Sequence, residues 1–389
     1  MISARARRWI LVGLLIVLGV LSIVAGRQWA RLRIGASDFN AYWSASRLLL
    51  EGRNPVDPAS LLEMERQHYD PNQGFAMMAW NPPTAWVLLL PLACLPFQAA
   101  RVIWLLINIA LVMGSCVLWA GLYLPRRRVA PPVVYGLLTA LFAPTLLAIW
   151  TGQITFLVVF GVASALFLMR RGQWFWAGAS LILTSVKPHL VILVVPYLLF
   201  YMAMRRKWSG WLGLGFSGAI CLVVLFALRP SWITDFSGLF QAPPSGWATP
   251  TLGGLLSLYG AGWWARYLVI GFLVLVPLFL RWAERLSPET ATNVLILVTI
   301  PTTFFGWSYD QSLLLAPIAQ LVSWLFGPFR SSVGRWVVAI GAVVVLAASL
   351  AQRVISTDEV YFFWVPLSWG VIYVAASYLR RNTNSPLLS

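Results

Sequence analysis

The chain has 389 residues, 60% hydrophobic and 10% charged, with a formal net charge of +16. A soluble chain carries about 25% charged residues, so the composition excludes a soluble enzyme and describes an all-α polytopic membrane protein. The basic excess is no nucleic-acid footprint: Lys and Arg cluster between or after apolar runs, as cytoplasmic loops require.

In chain order, the first apolar run, 9–26, follows Arg5, Arg7 and Arg8. It exceeds the ~7–15-residue core of a signal peptide and lacks a clear small-x-small cleavage site, so it reads as an uncleaved crossing. With the N-terminus inside, further crossings are predicted over 98–123, 133–150, 153–169, 174–187, 188–204, 208–228, 263–280, 291–307, 310–327, 336–351 and 360–378. That makes about twelve crossings in a single integral membrane domain, 1–389, with both termini cytoplasmic. Arg126-Arg127-Arg128, Arg170-Arg171, Arg205-Arg206-Lys207 and Arg380-Arg381 then face the cytoplasm. Of the twelve acidic residues, Glu284 and Glu289 alone do so. Acids gathered outside are the first functional clue.

Two long outer segments carry the rest. In 27–81, Phe39, Tyr42, Trp43, Ser46, Leu49 and Leu50 share one helical face, with Arg47 and Glu51 opposite and Gly52-Arg-Asn-Pro55 as a stop. Such a helix is expected to lie along the membrane interface, followed by a second over 59–69. Residues 82–96 are apolar but short and bounded by prolines, which predicts a half-helix in the outer leaflet or a tilted surface helix. The second outer segment, 229–262, is rich in Pro, Gly and Trp and predicts a lid or short re-entrant turns. Cys94, Cys116 and Cys221 lie in apolar runs and form no CxxC pair. His68 and His189 are the two histidines, too few for a His-rich metal site.

Ionisable groups near a bilayer are costly and mark function by default. Asp38, just past the first crossing, is suited to act as a catalytic base, although Ser37-Asp38 also fits a helix cap. Gly152-Gln153 sits at an outward turn that Gly alone explains, but the Gln153 amide is suited to hold a sugar hydroxyl. Lys187-Pro188-His189 places a cation on the outer side, against the topological trend; it suits a lipid phosphate or is a snorkelling lysine. Asp310 lies at another outer end, as a cap, a partner for a basic residue or a substrate contact. Trp80 and Asn81 beside Pro82-Pro83 line the same cavity, and Arg101, Arg229, Arg266 and Arg353 are further outer cations. Polar groups converging from several helix ends into apolar surroundings describe a site.

Asp38-Phe-Asn-Ala-Tyr42-Trp, Arg47-Leu-Leu-Leu-Glu-Gly-Arg-Asn-Pro55, Trp80-Asn-Pro-Pro83, Leu-Pro-Leu-Ala-Cys-Leu-Pro96-Phe, Gly152-Gln153-Ile-Thr and Ala177-Gly178 leading to Lys187-Pro188 occur in order over about residues 30–210. This series resembles the glycosyltransferase 87 family. The resemblance implies the C-type glycosyltransferase fold and a location in the cytoplasmic membrane with the active site facing outward. It also implies a polyprenyl-phosphate sugar donor, typically mannose, and a lipid or glycan acceptor. By that resemblance Asp38 is the catalytic residue, and Lys187 with His189 meets the donor phosphate. Tyr42, Asn81, Gln153 and Asp310 are taken as sugar and acceptor contacts. A lone base implies direct displacement with inversion. No metal or other cofactor is expected, with Asp310 and Glu63 as the distant carboxylates that a metal would need. A transporter or flippase of lipid-linked sugars is the rival, and it predicts discontinuous midplane helices and two pseudo-symmetric halves.

Overall fold

Apolar runs punctuated by Pro and small polar caps dictate helices with abrupt ends. The computed structural model describes residues 33–124, 129–241, 246–275, 279, 286–356 and 358–380, and these segments are helical apart from their connections. Extended pairing among the described residues is limited to an isolated bridge between Phe329 and Arg380. Helices α1 (Ser37–Leu50), α2 (Pro58–His68) and α3 (Pro83–Ala93) precede the long α4 (Phe97–Tyr123). Then come α5 (Ala130–Leu141), α6 (Ala143–Thr151), α7 (Thr155–Arg170) and α8 (Trp174–Ser180), the last tightening into the 3-10 turn Leu181–Val186. A second tight turn, Pro188–Val191, leads to α9 (Val194–Met204) and α10 (Trp208–Leu228). Short helices α11 (Trp232–Gly238), α12 (Leu252–Leu256) and α13 (Leu268–Val274) follow, with the tight turn Trp263–Tyr267 before the last of them. The chain closes with α14 (Pro288–Thr302), the tight turn Ser308–Leu314, α15 (Leu315–Leu325), α16 (Ser332–Ile355) and α17 (Trp364–Leu379).

Among the described residues, four helices are long and apolar enough to cross a membrane: Phe97–Tyr123, Trp208–Leu228, Ser332–Ile355 and Glu359–Leu379. The pair α5 and α6, bent by 54° at Phe142, makes a fifth if counted as one span. Phe142 is extended and Pro144 follows in the first turn of α6, so the ladder breaks there. Several other predicted crossings are α-helices of 16 residues or fewer, some joined to 3-10 turns. Sixteen residues rise about 24 Å, less than a hydrocarbon core of about 30 Å. The predicted crossing 9–26 lies outside the described residues.

Two expectations for the first outer segment resolve differently. Helix α3 has eleven residues, too short to cross, and buries Trp86, Leu89 and Leu92. Helix α1 forms where its periodicity predicts, and other helices cover both of its faces. Residues Phe39 through Ser46 are all buried, including Asn40 and Ser44 on the side opposite the aromatics, because α2, α3, α4 and α6 enclose it. The described parts of the second outer segment, 229–241 and 246–262, hold short helical turns. Cys116 and Cys221 are buried, whereas Cys94 is exposed.

Helix α7 runs through the centre, buried along most of its length between α4 and α8. Near the end of α4 marked by Tyr123, neutral side chains tie the helices together. Asn293 donates to Tyr123 Oη at 2.9 Å and to Gln320 Oε1 at 2.7 Å, and Gln320 donates to Thr290 at 2.7 Å. The charged polar groups collect near the opposite end, where α4 and α7 begin.

Candidate active site

The site begins with a backbone contact. The Gly35 N–H donates to the Trp150 carbonyl at 2.6 Å, docking the segment before α1 onto the turn after α6. Gly152 makes that turn at φ +76, and a Cβ there would stand 2.5 Å from the Gly35 carbonyl oxygen. Glycine is required on both counts, left-handed backbone and close approach. Trp104 Nε1 donates to the Gly152 carbonyl at 2.8 Å, and Phe39 stacks on Trp104 with ring centroids 5.7 Å apart. Asp38 and Gln153, 115 positions apart, are thereby brought together, and Gln153 Nε2 donates to Asp38 Oδ2. Helix α1 has no side-chain cap, so Asp38 is free of the capping duty that Ser37-Asp38 allowed.

Behind that bond lies a buried chain of polar groups. Gln153 Oε1 accepts from Tyr42 Oη at 2.9 Å and from Lys187 Nζ at 2.9 Å. An ammonium has no lone pair, so the amide oxygen must face Lys187 and the amide NH₂ must face Asp38. Lys187 Nζ also donates to Thr155 Oγ1 at 3.1 Å and to Asp310 Oδ1 at 2.7 Å, using all three of its N–H bonds. It lies 4.6 Å from the Tyr309 ring centroid. Asp310 Oδ1 accepts as well from Thr155 at 2.6 Å, and Oδ2 accepts from the Trp307 backbone N–H at 3.0 Å. Asp310 is therefore both a cap for Ser308–Leu314 and the counter-ion of Lys187.

Exposure separates this network into two layers. Tyr42, Gln153, Lys187 and Asp310 are buried, whereas Asp38 is half-buried. Burial raises the Asp38 carboxyl above its ordinary value, with the Gln153 N–H and the Lys187 charge partly holding it down. Burial also keeps the Tyr42 phenol protonated, so its hydroxyl donates. A half-buried carboxylate held by such a network is suited to take a proton from a hydroxyl.

Asp38, Tyr42, Gln153, Lys187 and Asp310 thus form one network. Within the protein Lys187 meets Gln153, Thr155 and Asp310, Tyr42 meets Gln153, and Asp310 joins them through Lys187. Asn81 lies beside the network: its Nδ2 donates to the Val186 carbonyl at 3.0 Å, tying the start of α3 to the residue before Lys187. The His189 carbonyl accepts from Thr303 at 2.8 Å, and its half-buried ring forms no hydrogen bond among the described residues. Thr155 and Tyr309 join the site without having been assigned a role, although Thr155 closes the Gly152-Gln153-Ile-Thr motif and Tyr309 directly precedes Asp310. Among the described residues no cluster of three His, Cys, Asp or Glu side chains is placed to hold a metal. Of the carboxylates considered for that role, Asp310 pairs with Lys187 and Glu63 with Arg53.

No curated protein and no solved structure matches the chain. The profile of glycosyltransferase family 87 matches residues 80–305, beginning after Asp38 and reaching well past the ordered motifs that end near residue 210. It takes in Asn81, Gln153, Lys187 and His189, and it displaces the reading as a transporter or flippase. Because the match covers more than half of the sequence, the chain belongs to glycosyltransferase family 87, and it is a membrane-helical glycosyltransferase.

Proposed function

We propose that this enzyme moves a sugar, mannose, from a polyprenyl-phosphate donor to a hydroxyl of a glycolipid or glycan acceptor. The reaction takes place at the outer face of the cytoplasmic membrane on a C-type glycosyltransferase fold. The observation that carries this reading is the half-buried Asp38 carboxylate, fixed from behind by Gln153 and Lys187. The acceptor oxygen attacks the anomeric carbon while Asp38 takes its proton. The bond from that carbon to the phosphate oxygen breaks, and the lipid phosphate leaves with the electron pair. Displacement at one centre inverts the anomeric configuration. The leaving group is already a stable anion, so no general acid is needed.

In this scheme Tyr42, Gln153, Lys187 and Asp310 position the base, while Asn81 and His189, partly exposed beside them, are available to substrate. A metal has no role in the scheme: Asp310, the carboxylate nearest to the base along the network, is already neutralised by Lys187. Purified enzyme with a polyprenyl-phosphate sugar and acceptor releases polyprenyl phosphate, with or without a chelator. Asp38→Asn lowers kcat by roughly 10²–10⁴-fold, the usual share of a general base, and leaves donor affinity near its original value. Full turnover by that variant would remove Asp38 as the base.

A further inference from the structure

Outer cations in this molecule are paired with acids in nearly every case where a partner is resolved. Arg33 meets Asp70 at 2.7 Å, Arg53 meets Glu63 at 2.8 Å, Arg229 meets Asp235 at 2.7 Å and Arg353 meets Glu359 at 2.8 Å. Arg266 differs. It is 4% exposed, and no carboxylate forms an ion pair with it among the described residues. Its Nη1 donates to Thr249 Oγ1 at 3.1 Å and its Nη2 donates to the Trp247 carbonyl. The Nε–H is buried with no hydrogen-bond partner among the described residues.

A guanidinium cannot neutralise itself by losing a proton, and a buried cation without an anion is strongly disfavoured. The packing nevertheless encloses this one. A Cβ on Gly253 would stand 2.5 Å from the Arg266 Cα, and one on Gly254 would stand 2.2 Å from the Thr249 carbonyl, so the glycine pair lets α12 close over it. The Phe305 ring lies 5.0 Å beneath the guanidinium. From there an aromatic wall leads to the catalytic network. Trp247 packs against Phe305, Trp307 and Trp80, and Trp307 gives its backbone N–H to Asp310.

We infer that Arg266 binds the phosphate of the lipid-phosphate donor, an inference that rests on the reading of the reaction given above. Its Nε–H and Nη2–H form one edge of the guanidinium, the edge that two phosphate oxygens take in a bidentate contact. The Trp247 carbonyl holds half of that edge and gives way to the phosphate. Lys187, with its three N–H bonds engaged by protein, holds the base instead. The two cations thereby divide the work, one orienting the carboxylate and the other the leaving group.

The test uses full-length wild type, Arg266→Lys and Arg266→Gln in phosphatidylcholine nanodiscs, with polyprenyl phosphate and polyprenol as probes. Wild type binds the phosphate more tightly than the alcohol. Arg266→Gln weakens phosphate binding by roughly 10–100-fold, the range of a lost charge-assisted hydrogen bond, leaves polyprenol binding unchanged and raises the KM for donor more than it lowers kcat. Arg266→Lys falls between. Hydrogen exchange at residues 246–251 changes on adding polyprenyl phosphate in wild type and not in Arg266→Gln. Equal phosphate affinity in wild type and Arg266→Gln overturns the inference while leaving the donor assignment intact. A wild type that binds polyprenyl phosphate no better than polyprenol overturns both. A co-purifying phospholipid at Arg266 that polyprenyl phosphate does not displace assigns the site to the bilayer and also overturns the inference.

Discussion

Lys187 and Arg266 are both buried cations near the same end of the helix bundle, yet their surroundings differ in kind. Lys187 has a carboxylate, an amide oxygen and a hydroxyl, one acceptor for each N–H. Arg266 has a carbonyl and a hydroxyl and, among the described residues, no carboxylate and one N–H left over. A cation whose valences are filled by protein holds structure in place. One that is enclosed but unfilled stores an electrostatic demand that an incoming anion meets. Glu65 shows why the second case is informative. It too is buried without a counter-ion, accepting from the Met77 N–H at 3.0 Å and from Gln73 at 2.6 Å. A carboxyl in that position can take up a proton, and burial raises it to about 7. Arginine has no such exit.

The largest effect expected from breaking this contrast is at Lys187. Lys187→Met leaves Asp310 buried without its counter-ion and costs about 3–5 kcal/mol of stability, read as a lower thermal midpoint in detergent. Lys187→Met combined with Asp310→Leu recovers much of it. Arg266→Met removes a charge with no counter-ion among the described residues and leaves no buried carboxylate behind, so the lipid-free protein loses less than with Lys187→Met, about 1.5–3 kcal/mol for the hydrogen bonds given up. A drop as large as that of Lys187→Met would erase the distinction.

A smaller effect reads the network through the base. The acid limb of kcat/KM follows Asp38, with activity lost as falling pH protonates it. Burial raises that carboxyl and the Gln153 N–H lowers it, so Gln153→Ala moves the limb to higher pH. An unmoved limb would reduce Gln153 to packing. The smallest effect is at Glu65. The folded form keeps its proton up to about pH 7, whereas the unfolded chain releases it near the ordinary value of 4.5. The stability of α2 and the 70–77 segment therefore declines as pH rises through that window and is level above it. Glu65→Gln removes the slope, measured by hydrogen exchange across 58–77.

Much of this was legible in the sequence, for identifiable reasons. The apolar runs set the helices, and the proline-bounded 82–96 segment announced a short one. Asp38, Gln153, Lys187 and Asp310 stood out because each is a polar residue in apolar surroundings near a predicted helix end. The sense of their contacts did not show. Whether Lys187 meets a ligand or Asp310 depends on a fold that brings together residues 123 positions apart. The enclosure of α1 was hidden for the same reason: an aromatic stripe reads as a membrane-facing surface unless the neighbours that cover both sides are known. Arg266 was visible only as one outer cation among several, since unpaired status is a property of surroundings.

The contact between Gly35 and Gly152 bears on how the enzyme comes into being. Asp38 is synthesised early, but the turn that seats it appears more than a hundred residues later, and the ion pair behind that turn is completed by Asp310. A nascent chain inserted up to α6 therefore carries Asp38 without its seat. With Asp38 as the proposed base, the site is complete only after Asp310 has been laid down, late in membrane insertion.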